Sequence, residues 1–166
     1  MISKRTVVKV SIAMAIAMLL AAPIFAANVH LKGGKKASPN YRDNGLTLTA
    51  SGALAGLGNG DILITLHAEG EAFSLCTNPS GANMPPGQNP ADVTVSGAQS
   101  IPEEEVKNGT VRFSVTTEAP DSPIPGAPGC PNPNWSQDIL DIDFTSATIV
   151  VEQPPGTVVL VINSAL

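Results

Sequence analysis

Positive charge is scarce in this sequence. Nine Lys and Arg stand against fourteen Asp and Glu, for a net charge of −5. A nucleic-acid-binding protein needs a basic footprint to meet phosphate, so that class is excluded. Histidine is scarcer still, with only His30 and His67. Neither lies at a useful spacing from the two cysteines, Cys76 and Cys130, for a metal site. Glycine and proline, 15 of each, make up about 18% of the chain, too little for a collagen-like or low-complexity protein. The aromatic complement is one Trp, one Tyr and four Phe. Missing too are a G-x-S-x-G elbow, an H-E-x-x-H pair and a phosphate-binding glycine loop, so the residues point away from an enzyme and imply no cofactor. No long segment carries helical periodicity.

The first residues are an address. Lys4, Arg5 and Lys9 precede an apolar run from Val10 to Leu20, broken by Pro23 just before Ala26 and Ala27. This is the charged, apolar and small-residue order of a secretory signal peptide, with cleavage expected after Ala26. The run to Ala27 is at the short edge of a membrane span and is interrupted by Ser11 and Pro23, so contact with the membrane is expected only in transit. The expected organisation is a signal peptide at 1–26, a β-sandwich domain at 27–153 and a C-terminal extension or final strand at 154–166. All fourteen acidic residues but only six of the nine basic ones follow residue 26, which makes the mature chain −8. Export also changes the reading of the cysteines. Two thiols in an oxidising compartment are expected to form one disulfide, Cys76–Cys130.

Short strand-like runs alternate with Gly, Pro and Asn through the mature chain. Val29–Lys32 reads as a first strand. Leu46, Leu48 and Ala50 alternate with Thr47 and Thr49, and Asn59–Gly60 supplies a turn after the glycine-rich stretch 52–58. Ile62, Ile64, Leu66 and Ala68 share a face opposite His67. Gly70 is expected to end that strand and Ala72–Thr77 to form the next. Val93 and Val95 restart the alternation, Ile101–Lys107 suggests a short helical turn, and Asn108–Gly109 follows it. Val111, Phe113 and Val115 form an inward face. Leu140, Ile142 and Phe144 face one way, but the parity flips before Ile149 and Val151, which predicts a bulge around Ser146. Thr157–Ile162 is a last apolar run. Seven or eight such strands with one disulfide indicate an all-β protein, an antiparallel immunoglobulin-like sandwich. Trp135 follows both cysteines, whereas immunoglobulin domains bury a Trp between theirs, so the strand topology stays open.

Two proline-rich stretches, 78–90 and 119–134, are the candidate binding surface. Cys76 precedes the first and Cys130 lies in the second, so their bond would pin both at one end of the domain. Trp135 together with Asn132, Asn134, Asn78, Asn83 and Asn89 could stack on and hydrogen-bond a sugar, although a lone Trp is more often a plug for the open end of a core. Asp138, Asp141 and Asp143 are hard oxygen donors that could hold calcium, but they lack a dedicated loop. Glu103–Glu105 reads as a solvated helix start. Asn108–Gly109–Thr110 and Asn134–Trp135–Ser136 match the glycosylation acceptor pattern. The run Thr157–Ile162 could complete its own domain's sheet or add to the edge of a neighbour's.

His30–Gly34 (HLKGG), Gly45–Asp61 (GLTLTASGALAGLGNGD) and Pro123–Trp135 (PIPGAPGCPNPNW) carry a resemblance over 28–151 to small secreted bacterial β-sandwich-like proteins. It implies neither an activity nor a ligand. The residues themselves support an exported structural or adhesive sandwich at the cell surface or in the matrix, self-associating or meeting a surface protein or glycan. A carbohydrate- or calcium-binding module is the alternative.

Overall fold

Period-two alternation of apolar and polar residues organises the chain into strands, and a computed structural model shows how they pair. It describes residues 28–34, 36–81 and 91–166, so the expected signal peptide lies outside the described residues. The strands are β1 (His30–Leu31), β2 (Asn40–Asp43), β3 (Leu48–Ala55), β4 (Ile62–Thr77), β5 (Ala91–Ile101), β6 (Thr110–Thr116), β7 (Ser136–Glu152) and β8 (Val158–Ala165). They form two four-stranded antiparallel sheets. In the first, β3 pairs with β1 and β2 along one side and with β6 along the other. The second runs in the order β5-β4-β7-β8. The chain is therefore all-β and sandwich-like, with the disulfide Cys76–Cys130 in place (Cα–Cα 5.6 Å).

The core lies between the inner faces. Leu48, Ala50, Leu54, Phe113 and Val115 of the first sheet meet Ile62, Ile64, Leu66, Ile142, Ile149 and Val151 of the second. Aliphatic side chains dominate it, as the shortage of aromatics requires. Burial of such chains, at roughly 25 cal/mol per Å² of apolar surface, is the main force holding the layers together. The inward set Val111, Phe113 and Val115 and the outward, exposed His67 agree with the alternation.

Several expectations are corrected. Gly70 does not end a strand. Residues 62–77 form one strand, and Gly70 sits where β7 crowds it: a Cβ there would lie 2.5 Å from the Asp143 carbonyl oxygen. Glycine marks a close backbone approach at a bulge. The register skips Thr145 between the pairs Gly70↔Phe144 and Glu69↔Ser146, one residue from the expected bulge. A second skip, at Leu140, falls between Phe73↔Asp141 and Ser74↔Ile139. It turns Leu140 outward, half exposed, instead of aligning it with Ile142 and Phe144, and Ile139 takes the inward place. The helical turn is confined to a 3-10 helix at Glu103–Glu105, after Ile101 ends β5. Asn108–Gly109 is a two-residue hairpin turn, in which Thr110 N–H donates to the Lys107 carbonyl and Lys107 N–H donates to that of Thr110. The first strand is shorter than expected, and β2 is a strand the alternation did not reveal. Thr157–Ile162 falls in the β8 hairpin, whose strand pairs with β7 of the same chain.

Candidate functional site

The disulfide end is assembled from the last turn of β4, the start of β7 and the loop 117–135. Cys76 is fully buried opposite Gln137 in the β4–β7 ladder. Gln137, also fully buried, donates from Nε2 to Ser74 Oγ (2.8 Å) and accepts at Oε1 from Gly129 N–H (2.9 Å). Its main-chain carbonyl accepts from Ile124 N–H (2.7 Å), and Ile139 N–H donates to Ser122 Oγ (3.1 Å). One covalent bond to β4 and three hydrogen bonds to β7 therefore hold the loop over the β7 edge beyond the reach of β8. A buried amide stripped of these partners would lose about 1–3 kcal/mol per unsatisfied group.

The residues expected to bind are spread around this end. Trp135 is half-buried, and its N–H donates to the Asn132 carbonyl (3.2 Å). Asn132 and Asn134 are exposed, and Asn132 Oδ1 accepts from Asn134 N–H (2.9 Å). Asn78 Oδ1 accepts from Ser80 Oγ (2.9 Å). Asn83 and Asn89 lie outside the described residues. The disulfide thus ties the end of β4 to the second proline-rich stretch, while most of the first is not described. Asp138 is half-buried and accepts from Ser136 Oγ (3.0 Å); Asp141 and Asp143 are exposed farther along the outer face. Among the described residues no group of three or more His, Cys, Asp or Glu is arranged to hold a metal ion. Glu71 lies directly opposite Asp92 on one side and Asp143 on the other, giving an acidic row across the outer face.

The opposite end carries a second buried amide. Gln153 Oε1 accepts from Gly58 N–H, and its Nε2 donates to the Gly58 and Gly60 carbonyls, each at 2.9 Å. It clasps the β3–β4 turn to the β7–β8 hairpin, and its N–H donates to the Thr157 carbonyl. Sequence reasoning missed both glutamines. Gln153 continues the inward parity of Ile149 and Val151, a signal that was present. Gln137 is in step with Ile139, but the bulge at Leu140 hides that parity.

The sheet edges differ sharply. Gly97 of β5 lies against β6, where a Cβ would come within 2.0 Å of the Thr116 carbonyl oxygen. Glu118 N–H donates to the Ser96 carbonyl (2.8 Å) and Ser114 N–H to Gln99 Oε1 (3.0 Å). β8, at the other edge, has no further strand beyond it among the described residues. Tyr41 of β2 reaches it through its hydroxyl, which donates to Ser164 Oγ (2.9 Å). Val158 and Val161 are 56% and 49% exposed on the β8 outer face.

These features define a class, an all-β protein of two antiparallel sheets joined by one disulfide. No protein-family model, curated protein or solved structure matches the chain. Residue chemistry and geometry therefore carry the functional reading.

Proposed function

We propose that the protein is an exported, non-enzymatic building unit, an immunoglobulin-like β-sandwich with a structural or adhesive role at the cell surface or in the extracellular matrix, which self-associates through its C-terminal strand. The observation that carries this reading is β8, an uncharged, mainly aliphatic strand at the edge of the second sheet with no further strand beyond it among the described residues. Soluble proteins guard such edges with charge, proline or a covering segment, because an open ladder templates pairing with another chain. The disulfide supports export, since such bonds persist in oxidising compartments. Sedimentation velocity on the protein recovered after export tests the reading. Across about 1 to 100 µM, the range in which a modest edge contact would act, the expected result is a concentration-dependent assembly. A strict monomer throughout contradicts it.

A second reading has its own support, the half-exposed Trp135 beside the exposed Asn132 and Asn134 on a loop held by the disulfide. It makes the disulfide end a glycan-binding surface. Trp135→Ala should then abolish retention on a polysaccharide column while leaving the fold intact, and unchanged retention removes this reading.

A further inference from the structure

We propose that the partner of β8 is the β8 strand of a second copy, run antiparallel across a two-fold axis near Val161 and Ile162, so that two second sheets become one continuous sheet and association closes at the dimer. This rests on the self-association reading and adds the partner element, its direction and the stopping point.

The main chain supplies the first argument. Leu166 N–H donates to the Thr145 carbonyl, and the β7–β8 register runs unbroken from Ser146↔Ala165 to Val151↔Leu160. Bonded pairs alternate along an antiparallel ladder. Ser164 and Ile162 therefore turn their main-chain groups toward β7, whereas Ala165, Asn163 and Val161 turn theirs toward the open side. Those donors and acceptors recur at every second residue, which is the spacing another antiparallel strand requires.

Side chains supply the second. From Gln153 to Leu166 the sequence has no charged residue, and after Pro155 it has no proline. The chain as a whole is acidic, so two copies repel one another through most of their surfaces. The acidic row Asp92–Glu71–Asp143 crosses the outer face beyond the end of the β7–β8 pairing. β8 is where a second copy meets least repulsion. Two-fold pairing would also set the half-exposed Val161 of each copy beside the other, removing apolar surface from water.

The third argument concerns closure. Pairing of β8 with a different edge would be head-to-tail and would build rings or open filaments larger than a dimer. The β5 edge is taken by β6 and Glu118, and the β7 edge beyond β8 is taken by the loop 117–135. Within the second sheet, what remains for β8 is its own copy, and the outer strands of the first sheet, β1 and β2, are only two and four residues long.

Sedimentation velocity of the exported protein and three variants tests this. Val161→Lys places a charge on the open strand, and Val161→Pro removes a donor that does not serve β7. Phe73→Ser with Leu140→Ser removes the other exposed apolar pair, on the outer face at the disulfide end. The expected result is a wild-type dimer whose dissociation constant rises by about tenfold or more in both Val161 variants, with the double variant unchanged. Should Val161→Pro fail to fold, Val161→Lys decides. A wild type that assembles equally well with Lys at 161 overturns the β8 pairing but leaves the self-association reading standing. Loss of assembly in the Phe73 and Leu140 variant alone moves the interface to the outer face and overturns the pairing too. Species that grow beyond the dimer overturn the closure, and a monomeric wild type removes both this inference and the reading beneath it.

Discussion

The second sheet ends in two unlike edges. On β5, a glycine admits the backbone of β6 and two hydrogen bonds close the line: Glu118 to Ser96 and Ser114 to the Gln99 side chain. On β8, Val158 and Val161 meet solvent with no covering strand among the described residues. A third stretch of edge, the start of β7, is covered by an irregular loop that a disulfide and a buried glutamine hold down. Two stretches of edge in this sheet are covered, and among the described residues β8 has no such cover.

The largest effect is expected where the cover is covalent. Replacing both Cys76 and Cys130 by Ala should lower stability by about 4 kcal/mol, the chain-entropy value for a crosslink separated by 54 residues, read from urea unfolding. Hydrogen exchange at the Ile139 amide should quicken in the same variant as its bond to Ser122 is lost. Gly97→Val comes next. The added side chain collides with main chain at Thr116, and overpacking of this kind costs about 3 kcal/mol. Calorimetry should show the drop, and the uncovered β5 edge should now support oligomers larger than the wild type forms. Gln153→Ala removes the clasp at the base of the β7–β8 hairpin and leaves the Gly58 N–H without its partner, for about 2 kcal/mol in the same unfolding assay. Val161→Lys is the smallest in stability, within about 0.5 kcal/mol by thermal unfolding, because the site is half exposed and its ladder to β7 is untouched. A large loss of stability there would mean that Val161 is part of the core and would blur the contrast between the edges.

Much of this contrast was legible in part. The uncharged run from Val158 to Ile162 stands out in the sequence, and so does the pairing of two lone cysteines after an expected export signal. The strands with clean alternation, β6 and the first half of β4, were read correctly, and the bulge in β7 was placed within one residue. Less legible was whatever depends on backbone meeting backbone far along the chain. Gly70 looks like a terminator until β7 is seen crowding it, and Gly97 looks unremarkable until β6 lies against it. Leu140 misled because one extra residue in a ladder reverses the side of everything before it. At the candidate binding end, the disulfide brings the loop of Trp135, Asn132 and Asn134 to β4, but the aspartates do not gather into a metal group among the described residues.

Residue-resolved amide exchange in dilute and concentrated protein tests the open edge most directly. Val161, Asn163 and Ala165 should exchange quickly when dilute and slow together as concentration rises. Ile162 and Ser164, already bonded to β7, should change little. Fast exchange of Val161, Asn163 and Ala165 at every concentration would contradict the account.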